Sequence, residues 1–163
     1  MPIKRWTIIC MRAVVDRFNG AMSLFDIVEV ASMSGPASQV EEIRKTASEG
    51  MAILTPKITV VSLWTRSQAE VPEFGKTKML VFSPDGKELA ETAELKVNLQ
   101  DGPRARTVTN LPGVLYSVDG TYIFRVMYKG KSGKWRKVDD VPLEVTLRGD
   151  DAELTAGAER EEE

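Results

Sequence analysis

Between Asp119 and Tyr128 the chain reads Asp-Gly-Thr-Tyr-Ile-Phe-Arg-Val-Met-Tyr, a turn signal that runs into a strict two-residue alternation. Tyr122, Phe124, Val126 and Tyr128 fall on one side; Ile123, Arg125, Met127 and Lys129 fall on the other. Only an extended strand places every second side chain on one face, so this segment predicts a half-buried strand entered from a tight turn.

The same rhythm recurs along the chain. Strands are expected over Trp6–Val15, Met22–Val30, Lys57–Thr65, Lys76–Phe82, Glu91–Leu99 and Ala105–Leu111, besides the one just described. Turn residues separate them: Asp16 to Gly20, Ser83-Pro84-Asp85-Gly86, Asp101-Gly102-Pro103, Leu111-Pro112-Gly113 and Gly130-Lys131-Ser132-Gly133. The last strand is expected to be split by Asp139-Asp140 and Pro142 and to resume as Leu143, Val145 and Leu147. Residues 32–52 break the pattern. There Ser38, with Glu41 three residues on, suggests a capped helix over about 38–48 that Gly50 would end. The expectation is an all-β, antiparallel two-sheet sandwich, immunoglobulin-like or a related Greek key, with about seven or eight strands and one short helical insertion.

Composition narrows the class further. A chain of 163 residues with 42% hydrophobic and 28% charged residues has enough apolar material for one packed core. No apolar run approaches the ~18 residues of a membrane helix, so no membrane partner is expected. The N-terminal stretch after Lys4-Arg5 is interrupted by Arg12, Asp16 and Arg17, which does not fit a signal peptide. A lone Cys10 in mid-strand reads as a small buried thiol, consistent with a reducing, cytoplasmic setting. The net charge of −2 hides an asymmetry: residues 149–163 hold seven acids and one base, which leaves 21 bases and 17 acids in residues 1–148. The expected organisation is a sandwich domain over 1–148 and an acidic, disordered tail over 149–163.

Chemistry is constrained mainly by what is missing. The chain has no histidine, which removes Ser-His and Cys-His nucleophile pairs and histidine-ligated metals, and one cysteine cannot build a thiolate cluster. Acids sit singly on turns and wet faces, so no catalytic residue, cofactor site or metal site is assigned and the chain reads as non-enzymatic; a carboxylate-based enzyme is the third reading. Gly130-Lys131-Ser132 fails as a phosphate-binding loop, because position 125 is Arg125 and the segment returns into a strand rather than opening a helix. Trp6, Trp64 and Trp135 read as core or hairpin residues rather than a ligand cage, and Asp139-Asp140 as a bulge rather than a calcium site.

One cluster carries a possible binding chemistry. Arg125, Lys129, Lys131, Lys134, Arg136 and Lys137 give six bases and no acid over residues 125–137, interleaved with Tyr128 and Trp135. A basic, aromatic ribbon suits a phosphate backbone and stacked bases. Lysines at a hairpin tip equally keep sheet edges from pairing, and a pI of about 5.4 speaks against a nucleic-acid binder. The polyanion site is therefore the alternative; the first reading is a scaffold module that contacts another protein, a second copy included, through loops or a sheet edge.

At Asp119-Gly120-Thr121-Tyr122 the chain resembles the late strand of immunoglobulin-type sandwiches, in which a tyrosine hydroxyl ties the corner before the strand. More broadly, Ile8 to Asp16 with Asn19 to Ile27, and Gly120-Thr121-Tyr122 with Val141-Pro142-Leu143-Glu144-Val145, resemble an uncharacterised family of bacterial β-sandwich proteins. That resemblance spans roughly residues 3–148 and implies a sandwich fold and a bacterial cytosolic origin, with no catalytic residues to carry over.

Overall fold

The computed structural model describes residues 1–16, 18, 20–46, 53–54, 57–116 and 118–150. In chain order the strands are β1 (Ile3–Val15), β2 (Met22–Ile27) and β3 (Val30–Pro36), then helix α1 (Ala37–Thr46) and β4 (Ile53–Leu54). There follow β5 (Ile58–Thr65), β6 (Glu73–Phe82), β7 (Glu88–Glu91), β8 (Leu95–Leu99) and β9 (Arg104–Leu111). The chain then forms β10 (Leu115–Tyr116), β11 (Gly120–Lys129) and β12 (Trp135–Asp150). One sheet has the order β2-β1-β5-β9; the other runs β3-β12-β11-β6-β7, with β8 also paired to β6, and β4 and β10 form a small third ladder.

The alternation that predicted β11 sets its burial. Tyr122, Phe124, Val126 and Tyr128 are all at most 3% exposed, and they meet Ile9, Ile58, Val60 and Trp64 of the four-stranded sheet in one core. Trp64 is fully buried and its indole N–H donates to Thr107 Oγ1 at 3.1 Å, so a large apolar surface is removed from water without an orphaned donor. The turn before β11 is closed as the residues suggested: Tyr122 Oη donates to the Val118 carbonyl at 3.0 Å. Cys10 is fully buried, its thiol directed at the Thr59 carbonyl, and burial pushes its pKa up.

Several expectations need correction. The sheets are mixed rather than purely antiparallel, because β3 runs parallel to β12 from Val30 beside Glu144 to Pro36 beside Asp150. The expected second strand ends early, as β2 at Ile27, and residues 30–36, expected in the main to break the pattern, form β3 in the other sheet. Asp26 adopts a φ of 53°, and the chain leaves the first sheet after the Val28 N–H donates to the Ile9 carbonyl. The helix starts at Ala37, so Ser38 lies in its first turn rather than capping it, and Gly50 lies outside the described residues. It packs on the sheet through buried Val40, while Arg44 donates to Asp119 Oδ2 and the Leu147 carbonyl, each at 2.8 Å.

The strand expected over 91–99 is shortened to β8, and a further strand, β7, precedes it; both pair with β6. β12, by contrast, is continuous through Asp139-Asp140 and Pro142. Val138 is the extra residue of a bulge opposite Val126 and Met127. Pro142 costs no ladder hydrogen bond on its free side, since pairing with β3 begins only at Glu144. The ladder carries β12 through Gly149 to Asp150, and the remainder of the acidic tail lies outside the described residues.

Candidate functional site at the basic hairpin

The β11–β12 hairpin turns at Gly130-Lys131-Ser132-Gly133, where the Gly133 N–H donates to the Gly130 carbonyl at 3.1 Å and Gly133 takes a φ of 70°. Register then decides which way each base points. Lys129 opposes Trp135, Tyr128 opposes Arg136 and Met127 opposes Lys137. Partners across an antiparallel ladder share a face. Lys129, Trp135 and Lys137 therefore project to the outer side of the six-stranded sheet, and Arg136 projects to the side of Tyr128.

On the outer side every base of the cluster has a partner. Arg125 grips Asp140 with both arms of its guanidinium, at 2.8 and 3.1 Å, and lies 4.6 Å from the Phe82 ring centre. Lys137 donates to the same carboxylate at 3.1 Å. The Arg125 hydrogen bonds, with a smaller contribution from Lys137, hold the Asp140 pKa below the ordinary carboxylate value against the effect of burial. Glu94 receives Lys76 at 2.6 Å and Lys129 at 2.9 Å, and these two bonds draw its pKa down to about 2. Trp135 lies beneath two ammonium groups, Lys78 at 4.9 Å and Lys129 at 4.5 Å from its ring centre.

Around the tip the situation reverses. Lys131, Lys134 and Arg136 are exposed, and none makes an ion pair among the described residues. They border a cleft of about 370 Å³ whose lining also includes Met1, Pro2, Val71, Pro72, Phe74, Tyr128 and one acid, Glu73. A neighbouring concavity of about 510 Å³ shares Phe74, Gly130 and Lys131 with it.

The floor is Tyr128, which needs two glycines. A Cβ on Gly75 would stand 2.1 Å from Tyr128 Oη and 2.4 Å from Cζ, and one on Gly130 would stand 3.2 Å from the ring. The phenol therefore lies flat over the β6 backbone, its hydroxyl donating to the Phe74 carbonyl at 3.3 Å, with Trp64 behind it at 5.5 Å between ring centres. The Val71–Pro72 wall belongs to a loop tied down by Arg66, whose guanidinium donates to the carbonyls of Leu99, Ala69 and Gln100 at 2.8, 2.8 and 2.9 Å. Glu73, the acid in the lining, accepts from the Ser67 N–H at 2.8 Å and the Ser67 hydroxyl at 3.0 Å and pairs with the Met1 ammonium at 2.8 Å.

Of the seven residues singled out from sequence, the structure brings three together at the cleft (Lys131, Lys134, Arg136) and sets four on the paired outer face (Arg125, Lys129, Trp135, Lys137). A continuous basic ribbon is not formed. Phe74, Pro72, Gly75 and Arg66 lie outside the residues that sequence points to; the strand begins at Glu73 rather than Lys76, so Gly75 falls inside its alternating run, the one signal the sequence holds for this floor.

The tryptophans do not form a cage: Trp64 is in the core, and Trp6 and Trp135 lie on different sheets. Asp139 and Asp140 are both ion-paired, to Lys4 and to Arg125 respectively. Among the described residues no group of three or more His, Cys, Asp or Glu is arranged to hold a metal, and no helix is long and apolar enough to cross a membrane. No protein-family model matches the chain, and no curated protein is significantly similar to it.

Proposed function

We propose that this chain is a non-enzymatic protein-interaction module of the bacterial cytoplasm, built on an immunoglobulin-like sandwich. The corner hydrogen bond of Tyr122 supports the architectural part of that reading. The distribution of exposed apolar side chains supports the functional part, and it is the observation that carries the proposal. Among the described residues ten large hydrophobic side chains remain exposed, and six fall within residues 14–30: Val14, Val15, Phe18, Phe25, Ile27 and Val30. Phe18, at the tip, is completely exposed, and Ile27 and Val30 are 58% and 61% exposed.

Five of them lie on the ribbon formed by β1, β2 and their turn, the outer part of which overhangs its own sheet, and Val30 follows where β3 begins. β1 pairs with β5 only as far as Cys10, while β1 and β2 continue as a pair to Val15 and Met22. Arg106 Nη1 donates to the Gly20 carbonyl at 2.9 Å, which requires the ribbon to fold back toward β9. β2 is also a sheet edge with one row of backbone donors and acceptors unpaired. An apolar tip on a tethered ribbon with an open edge fits an apolar protein surface and offers nothing to a polyanion.

The test is a photo-crosslinking amino acid in place of Phe18, with a control at exposed Lys87. A discrete adduct at position 18, to a host protein or to a second copy, is expected. Untagged wild-type protein should compete for it, whereas the variant Val14→Asp/Ile27→Asp should not. Labelling at 18 that is indistinguishable from labelling at 87 would reject the ribbon as the interaction surface.

A further inference from the structure

The cleft at the other end of β1 carries a different chemistry from the ribbon. Among the described residues the three cations at its rim make no ion pair, whereas Lys76, Lys78, Arg125 and Lys129 on the outer sheet face each have one. Like charges side by side repel, and the carboxylate in the cleft lining, Glu73, is already engaged by the Met1 ammonium and by Ser67. The cleft lining also offers apolar and ring-shaped surface in Pro72, Phe74 at 41% exposure and Val71 at 46%. A volume of about 370 Å³ accommodates a small organic molecule rather than a folded partner.

We infer that this cleft binds a small aryl phosphate, with its ring against Phe74 and Pro72 and its phosphate held by Lys131, Lys134 and Arg136. Each part of the ligand answers a feature of the site. Arg136 offers a planar fork for two phosphate oxygens, and the lysines offer point charges around it. The exposed Phe74 ring offers a stacking surface, which an inorganic anion would leave unused. A long polyanion is disfavoured, because on the outer face beyond the tip the cations already hold Asp140, Glu94 and Glu91. A free nucleotide and a simple phenyl phosphate share the required chemistry, and the experiment separates them.

Amide NMR spectra of the full chain are followed during titration with ADP, phenyl phosphate, adenosine and inorganic phosphate. Saturable shifts are expected at residues 71–75 and 128–136 with ADP or phenyl phosphate, and at least about tenfold weaker binding of adenosine and of inorganic phosphate. Stronger binding of ADP than of phenyl phosphate identifies a nucleotide as the source; equal binding identifies the aryl phosphate group alone. Lys131→Gln/Lys134→Gln should weaken either ligand by about tenfold or more, and Phe74→Ser should weaken it without weakening inorganic phosphate. Absence of shifts at these residues with both aryl phosphates, or inorganic phosphate binding as tightly as they do, would overturn the inference.

Discussion

The outer face of the six-stranded sheet and the cleft around the hairpin tip are built from one run of basic residues, yet they treat charge in opposite ways. On the face, Arg125, Lys129 and Lys137 are matched to Asp140 and Glu94, which come from β12 and from the loop between β7 and β8. At the cleft, Lys131, Lys134 and Arg136 face proline and aromatic side chains and no free carboxylate. The difference teaches that local charge density says little about binding. What decides it is whether the topology brings acids from elsewhere in the chain alongside the bases. Ion pairing makes one side a solvated sheet surface of small energetic consequence. The other side keeps its charge available.

The comparison can be broken most severely at the cleft floor. Gly75→Ala puts a methyl group into the Tyr128 ring, which Trp64 and Gly130 prevent from retreating. A loss of about 2–3 kcal/mol in urea unfolding is expected. Adding Tyr128→Leu should recover part of that loss if the clash with this ring is its cause. A smaller effect is expected on the outer face. Asp140→Ala leaves the guanidinium of Arg125 and the ammonium of Lys137 unmatched and should cost about 1 kcal/mol.

Smaller still is the expected effect at the cleft rim, where Lys131→Gln/Lys134→Gln should change stability by less than about 0.5 kcal/mol, because those groups hold nothing in the folded chain. The subtlest signature is in acid. The Glu94 carboxylate is depressed to about 2 from its ordinary value of 4.5, so its contribution is complete above about pH 4.5 and fades as pH falls through 2. A carboxyl-carbon NMR titration should find that low midpoint. It should return toward the ordinary value in Lys76→Met/Lys129→Met; an unchanged midpoint would mean that the two lysines are not its cause.

Much of the sheet content was legible because a buried face leaves a two-residue rhythm. β5, β9 and β11 lie within a residue or so of where the pattern placed them. What escaped depends on neighbours distant in sequence. The expected strand through Val30 stops at Ile27, just after the left-handed Asp26, and residues 30–36, in a stretch expected mostly to break the pattern, form β3 in the other sheet as a parallel partner of β12. Asp139-Asp140 and Pro142 look like a break, yet a bulge and an unpaired edge let one strand continue through them.

The site was half legible for the same reason. Six bases in a hairpin are visible in the sequence. That Glu94 and Asp140 neutralise some of them is a matter of sheet register, and that Phe74 and Pro72 stand opposite the rest follows from how Gly75 lets Tyr128 lie down.

The most direct measurement compares two triple variants in their affinity for ADP, each confirmed folded by circular dichroism. If partnering governs which charges are available, Lys131→Gln/Lys134→Gln/Arg136→Gln weakens binding by about tenfold or more, and Arg125→Gln/Lys129→Gln/Lys137→Gln leaves it within about twofold. Equal losses in the two, or a greater loss from the outer-face triple, would contradict the account.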